Sequence, residues 1–255
     1  MDRQAQVQQA ERFRALHDRS RLLLLPNAWD AGSARVFADL GFDAIATTSG
    51  GVAWSLGHAD GETAPLAEVI DAIRRIVRVT PLPVSADFEG GYGDTPAAVA
   101  ANVRAVISAG VAGINLEDGI RHDTLRAVGE AADRIAAARA AAREAGVPIV
   151  INARIDAWII GGDASETERI DEALRRAQAY LAAGADCIYP IALARPDTIA
   201  ELCTAIPAPV NIGARPGLPD LASVRTVCAA LKKPFSFMGG IRGKSFSVAE
   251  LADAG

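Results

Sequence analysis

Residues 83–94 read PVSADFEGGYGD, a short apolar run that delivers Asp87 and Glu89 and then stops at Gly90, Gly91, Tyr92 and Gly93. Side chains two apart on a strand share a face. Both carboxylates therefore converge at the C-terminal end of the strand, where a glycine-rich turn begins. Two hard oxygen donors at such a mouth suit Mg²⁺, or Mn²⁺ in its place. A strand ending in solvated acids has the same local pattern, so the rest of the chain has to separate the two readings.

Other apolar runs end in equally chemical residues. Asn27, Trp29 and Asp30 follow the first run. Thr47, Thr48, Ser49, Gly50 and Gly51 follow the second, with His58, Asp60 and Glu62 close behind. Glu117 and Asp118 close the fourth; Asn152, Arg154 and Asp156 close the fifth; Asn211 and Arg215 lie at the seventh. Solvated acids would be scattered over both ends of the strands, whereas these cluster at one. The set describes a cation site beside an anion site.

The elements that must position these residues recur in a fixed phrase: a glycine ending a helical pattern, then an apolar strand. Gly41, Gly110, Gly146 and Gly184 each fit the left-handed position just past a helix. Strands are expected at 22–25, 44–48, 84–88, 113–116, 149–153, 187–190, 209–212 and 235–238, read as the short continuous runs of a parallel sheet. Between them, Leu66, Val69, Ile70, Ile73, Ile76 and Val77 follow helical spacing, as do Val99, Val103, Val106 and Ile107 after a start at Asp94 or Thr95 and Pro96. Further stripes lie at Ile170–Leu181, Ile199–Ile206 and Leu221–Leu231, and residues 131–145 form an alanine-rich helix. Eight alternating units predict a (βα)8 TIM barrel with an N-terminal helix, a single domain over residues 1–255. The last two strand–loop–helix phrases are variants of one another. They are units seven and eight, or a duplication that leaves the barrel atypical or truncated at its C-terminal end.

Composition narrows the class. Of 255 residues half are apolar and 22% charged, which supports a sizeable core. The net charge of −5 gives no reason to expect nucleic acid or an anionic membrane as partner. Cys187, Cys203 and Cys228 have neither disulfide nor zinc spacing and fall on apolar positions, which reads as core. The first twenty residues are a polar helical run unlike a signal peptide, and no apolar run approaches a bilayer span, so a cytoplasmic location is expected.

The phrases LLPNAWDAGSARV, IATTSGGVAWSLGHADGE, PVSADFEGGYG, GINLEDG and INARIDAW resemble the isocitrate lyase/phosphoenolpyruvate mutase superfamily over nearly the whole chain. The resemblance implies a (βα)8 barrel that binds Mg²⁺ and a small 2-oxo acid or its enolate, assembled as a homo-oligomer, a tetramer or dimer. It implies that Asp87 holds the metal directly, with Asp60, Glu89 and Glu117 acting mostly through water. It places the substrate carboxylate on amides near Thr48, Ser49 and Gly50 and on Arg154; Asn211, from its place at the seventh strand end, is read as a further substrate contact. Glycines allow such close approach, and a guanidinium grips a carboxylate bidentately.

The departures matter as much. The lyase branch carries a cysteine-containing loop after the fourth strand; the equivalent here, residues 118–124, has none, and it also lacks the lysine and asparagine of the mutase branch. The motif carboxylate that is commonly aspartate is Glu89. The expected chemistry needs little beyond metal and arginine: cleavage of a C–C bond beta to the keto carbon of a 2-oxo (di)carboxylate, as in decarboxylation of oxaloacetate. His122 or a water would return the proton. Two alternatives stand beside this: phosphonopyruvate hydrolase or mutase-type P–C chemistry, and a non-catalytic 2-oxo acid binding protein.

Overall fold

The computed structural model describes residues 2–17, 23–121, 123–213 and the backbone of the strand at 235–238. Its strands run in chain order as β1 (Leu23–Leu24), β2 (Asn27–Ala28), β3 (Ile45–Thr47), β4 (Val84–Asp87), β5 (Gly113–Glu117), β6 (Gly119–Ile120), β7 (Thr124–Leu125), β8 (Val150–Ile155), β9 (Cys187–Pro190), β10 (Val210–Gly213) and β11 (Phe235–Met238). The helices are α1 (Arg3–Leu16), α2 (Ala31–Asp39), α3 (Ser49–Ser55), α4 (Leu66–Arg78), α5 (Pro96–Ser108), α6 (Val128–Ala145), α7 (Ala157–Ile160), α8 (Glu166–Ala183) and α9 (Pro196–Ala205).

The main sheet is parallel, in the order β1-β11-β10-β9-β8-β5-β4-β3-β2. Its two ends are one piece of chain. β1 pairs with β11 and β2 with β3, and only Leu25 and Pro26 separate them. Pro26 cannot donate to a ladder, yet its carbonyl still accepts from the Ala46 amide at 2.9 Å. The strand at 235–238 thus takes the eighth place between β10 and the first run, so the reading in which the last strand is missing falls. The helical stripe at 221–231 lies outside the described residues.

The local signals held where they were strongest. Gly41, Gly110, Gly146 and Gly184 all take positive φ at helix ends. Thr95 caps α5 through its side chain, with Pro96 in the first turn. α4 buries Val69, Ile70, Ile73, Ile76 and Val77, and each such side chain contributes roughly 1.5–3 kcal/mol relative to exposure. Cys187 and Cys203 are buried in the core, as their apolar positions implied.

α1 covers the N-terminal end of the barrel. It buries Gln6, Ala10 and Phe13, and the Gln6 amide donates to Ile107 O and Val111 O at 2.7 and 3.0 Å. Phe13 fits because Gly113 has no side chain: a Cβ there would stand 2.7 Å from the Phe13 ring and 3.0 Å from Val150 O. His17 is half-buried edge-on to Phe13, and burial pushes its pKa down. Gly113→Ala should therefore cost about 1–3 kcal/mol by overpacking. Urea unfolding of the single and double variants should show a smaller cost in a Phe13→Ala background, because the two residues contact each other.

Candidate active site

The barrel brings Asp87, Glu117 and Arg154 to the C-terminal ends of three neighbouring strands, β4, β5 and β8. Glu117 and Arg154 are register partners. All three sit where parallel-barrel sites form.

Asp87 is oriented from the strand beside it. Its amide donates to Thr47 Oγ1 at 2.8 Å, and its Oδ2 accepts from the Ser49 amide at 3.1 Å and the Ser49 hydroxyl at 2.8 Å. Its other oxygen, Oδ1, is buried without a hydrogen-bond partner. A buried carboxylate oxygen left this way is costly unless something else satisfies it.

Arg154 is wedged between two acids. Its Nε and Nη2 donate to Asp156 at 2.6 and 3.1 Å, while Nη1 lies 2.6 Å from Glu117 Oε2. The Glu117 contact is ionic rather than an aligned hydrogen bond, and Oε2 keeps no hydrogen-bond partner. Burial opposes the charged guanidinium, but Glu117 and Asp156 hold its pKa above the ordinary value. Burial likewise pushes Glu117 up, against the pull of Arg154. Asp156 is in turn held by its amide, which donates to Asp118 Oδ1 at 2.9 Å. Asp118 Oδ2 accepts from Arg176 and Tyr180 at 3.0 and 2.7 Å. Asp118, expected among the loop acids, is thus a buried structural charge with its partners in place.

Glu89 uses both carboxylate oxygens inside the protein. Oε2 accepts from the Glu62 amide at 2.6 Å and Oε1 from the Tyr92 hydroxyl. Burial, partly offset by the Tyr92 hydrogen bond, pushes its pKa up to about 7. Asp60 stands against the first turn of α3: a Cβ on Gly50 would be 3.2 Å from its Oδ2.

The strand expected at 44–48 ends at Thr47, and the chain turns directly into α3. Thr48 is the N-cap, its Oγ1 accepting from Gly51 at 3.4 Å. Gly51 is there for packing, since a Cβ would lie 2.8 Å from Trp29 Cβ. The Thr48 amide donates to Ala28 O and the Ser49 amide to Asp87, so two of the three amides expected to meet a ligand carboxylate are engaged internally. Asp30, another strand-end acid, forms the capping box of α2 with Ser33. His58 faces Glu68 at 3.6 Å. Trp29 and Trp54 are exposed. His122 and Arg215 lie outside the described residues.

Asn211 sits deeper than the acids. With Asn27, Ser85, Asn115, Asn152 and Tyr189 it lines a cavity of about 20 Å³ inside the barrel, floored by Phe13 and His17. The loop after Glu117 is a two-stranded hairpin of β6 and β7, which the sequence reading did not anticipate. Sequence reasoning also missed Arg176 and Tyr180. Their only signal was i, i+4 spacing on a helix, which does not reveal a contact with Asp118 some sixty residues away.

The sequence model of the phosphoenolpyruvate phosphomutase family matches residues 13–222. The 2-methylisocitrate lyase of Escherichia coli (strain K12) is 33% identical over 207 residues, covering 78% of this chain and 67% of the enzyme. A provisionally named phosphonomutase from Burkholderia cenocepacia J2315 is 43% identical with a TM-score of 0.84, covering 91% of this chain and 93% of that one. Oxaloacetate acetylhydrolase in complex with the product oxalate is 27% identical with a TM-score of 0.78, covering 90% and 79%.

Removing the Asp156 carboxylate strands Arg154 with a single counter-ion in a buried setting. Asp156→Ala should lower unfolding stability by roughly 3–5 kcal/mol in urea titrations. A cost below 1 kcal/mol would show that the pair is solvated.

Proposed function

The chain belongs to the phosphoenolpyruvate phosphomutase family, and from that premise we propose that it is a Mg²⁺-dependent carbon–carbon lyase. Its substrate is a small 2-oxo (di)carboxylate, cleaved at the bond beta to the keto carbon. The observation that carries this reading is the row of Asp87, Glu117 and Arg154, in which Asp87 Oδ1 is buried without a hydrogen-bond partner while Glu117 pairs with Arg154.

The open Asp87 oxygen fits a divalent cation. Asp87 would hold it directly, with Asp60, Glu117 and Glu89 reaching it through water. Among the described residues no three His, Cys, Asp or Glu side chains stand close enough to hold an ion unaided. Mg²⁺ usually keeps several waters and takes one or two carboxylates. Bound there, the cation supplies positive charge where electrons gather on the keto oxygen as the beta bond breaks.

Arg154 receives the substrate carboxylate. Of its five N–H donors three face Asp156 and Glu117, which leaves one on each terminal nitrogen for a carboxylate. Asp156 fixes the plane of that fork, so the grip is preorganised. Ser49 holds Asp87 with its hydroxyl and amide, which keeps Oδ1 turned away from α3. No cysteine stands in the loop after Glu117, and loss of CO2 from a 2-oxo dicarboxylate needs no general base.

The test is pyruvate release from oxaloacetate. Activity should require Mg²⁺, disappear with EDTA, and fall more than about 100-fold in Asp87→Ala. Turnover that persists in EDTA would overturn the mechanism. The 43% identity with the phosphonomutase favours one second reading, P–C cleavage, and phosphate release from phosphonopyruvate would single it out.

Proton linkage provides an assay independent of turnover. Glu89 rises from 4.5 to about 7, so without a cation the folded chain binds more protons than the unfolded one between those values. Stability from this group is therefore fullest below pH 4.5 and declines as pH rises through 7; Glu117 adds to the trend in the same direction. A cation competes with those protons. The rise in melting temperature on adding Mg²⁺ should thus be larger at pH 8 than at pH 5.5.

A further inference from the structure

The glycine-rich turn after Asp87 is pinned from outside. Asn102 donates to Gly91 O and Tyr92 O at 3.0 and 2.7 Å. Arg134, buried on α6, donates through Nη2 to Gly90 O and Gly93 O at 2.5 and 2.7 Å. The Glu117 amide donates to Glu89 O at 2.9 Å, tying the turn to β5 as well. This turn is a fixed platform on which another segment can be hung.

The segment that hangs on it carries Asp60. The Glu62 amide donates to Glu89 Oε2 at 2.6 Å, and Glu62 Oε1 accepts from the Tyr92 amide at 2.5 Å. Tyr92 closes the triangle by donating its hydroxyl to Glu89. Glu62, Glu89 and Tyr92 all take positive φ, at 59°, 45° and 54°. Three non-glycine residues in that region persist only where their surroundings over-determine them. The reciprocal hydrogen bonds are what over-determine these three. On its other side Asp60 rests against Gly50 in α3.

We propose that Glu62, Glu89 and Tyr92 form a latch that sets the position of the Asp60 segment against α3, which makes Glu62 a positioning residue. The inference deepens the functional reading above, on which its kinetic arm rests. It also accounts for glutamate at position 89: its extra methylene reaches the Glu62 amide and the Tyr92 hydroxyl together, so the side chain joins two loops.

Glu62→Ala and Glu62→Gln both keep a Cβ at the same positive φ, so comparing them isolates the acceptor oxygen. Hydrogen exchange should quicken at least tenfold at the amides of residues 60–62 and 92 in Glu62→Ala, and stay near wild type in Glu62→Gln. Tyr92→Phe should lie between them. In the kinetic arm, Glu62→Ala should lower kcat/KM for oxaloacetate about tenfold and weaken Mn²⁺ binding measured by electron paramagnetic resonance, with Glu62→Gln restoring both. Unchanged exchange in Glu62→Ala, in protein whose melting temperature matches wild type, would overturn the latch. Quickened exchange with wild-type Mn²⁺ affinity would overturn the positioning role. If wild type turns over no 2-oxo acid while the exchange and Mn²⁺ results hold, the substrate reading fails and the latch stands.

Discussion

Arg154 is the charge around which the upper barrel is arranged. It is buried, and so are Glu117, Asp156 and Asp118 around it. A lone cation there would be prohibitive, and a cation removed from among these acids would leave them mutually repelling. One partner is fixed from further out: Asp156 by the carboxylate of Asp118, and Asp118 by Arg176 and Tyr180. The order travels from α8 inward to the strand ends. The orientation of the Arg154 guanidinium depends on that buried chain.

The same row remains electrostatically unfinished on its other side. Glu117, Glu89 and Asp87 share a low-dielectric mouth with one guanidinium among them, and burial raises the pKa of both glutamates. Protons or a divalent cation can complete the balance. The polar cavity beneath continues the theme. Barrel interiors are commonly filled by branched apolar side chains, yet here asparagines line a space large enough for about one water.

Loops carry the remaining precision. The turn at 90–93 is anchored by Asn102 and Arg134, and the Asp60 segment is anchored to that turn. Strained φ values are concentrated in these loops rather than in the strands, as expected where geometry is held for function.

Much of this was legible in the sequence, because periodicity and glycine placement are local. The eight strands, the helix ends at Gly41, Gly110, Gly146 and Gly184, the Thr95–Pro96 start and the gathering of acids at one end follow from spacing alone. The family resemblance follows from ordered motifs. Tertiary structure decided what no local pattern encodes, namely which acid pairs with which base. Asp118, Asp156 and Glu89 look like Asp87 in sequence, since all are carboxylates just past an apolar run. Only packing reveals that Asp118 is neutralised by Arg176 from a distant helix, that Asp156 holds Arg154, and that Glu89 joins two loops. Burial and pairing set the chemistry of a carboxylate, and both are properties of the folded surroundings.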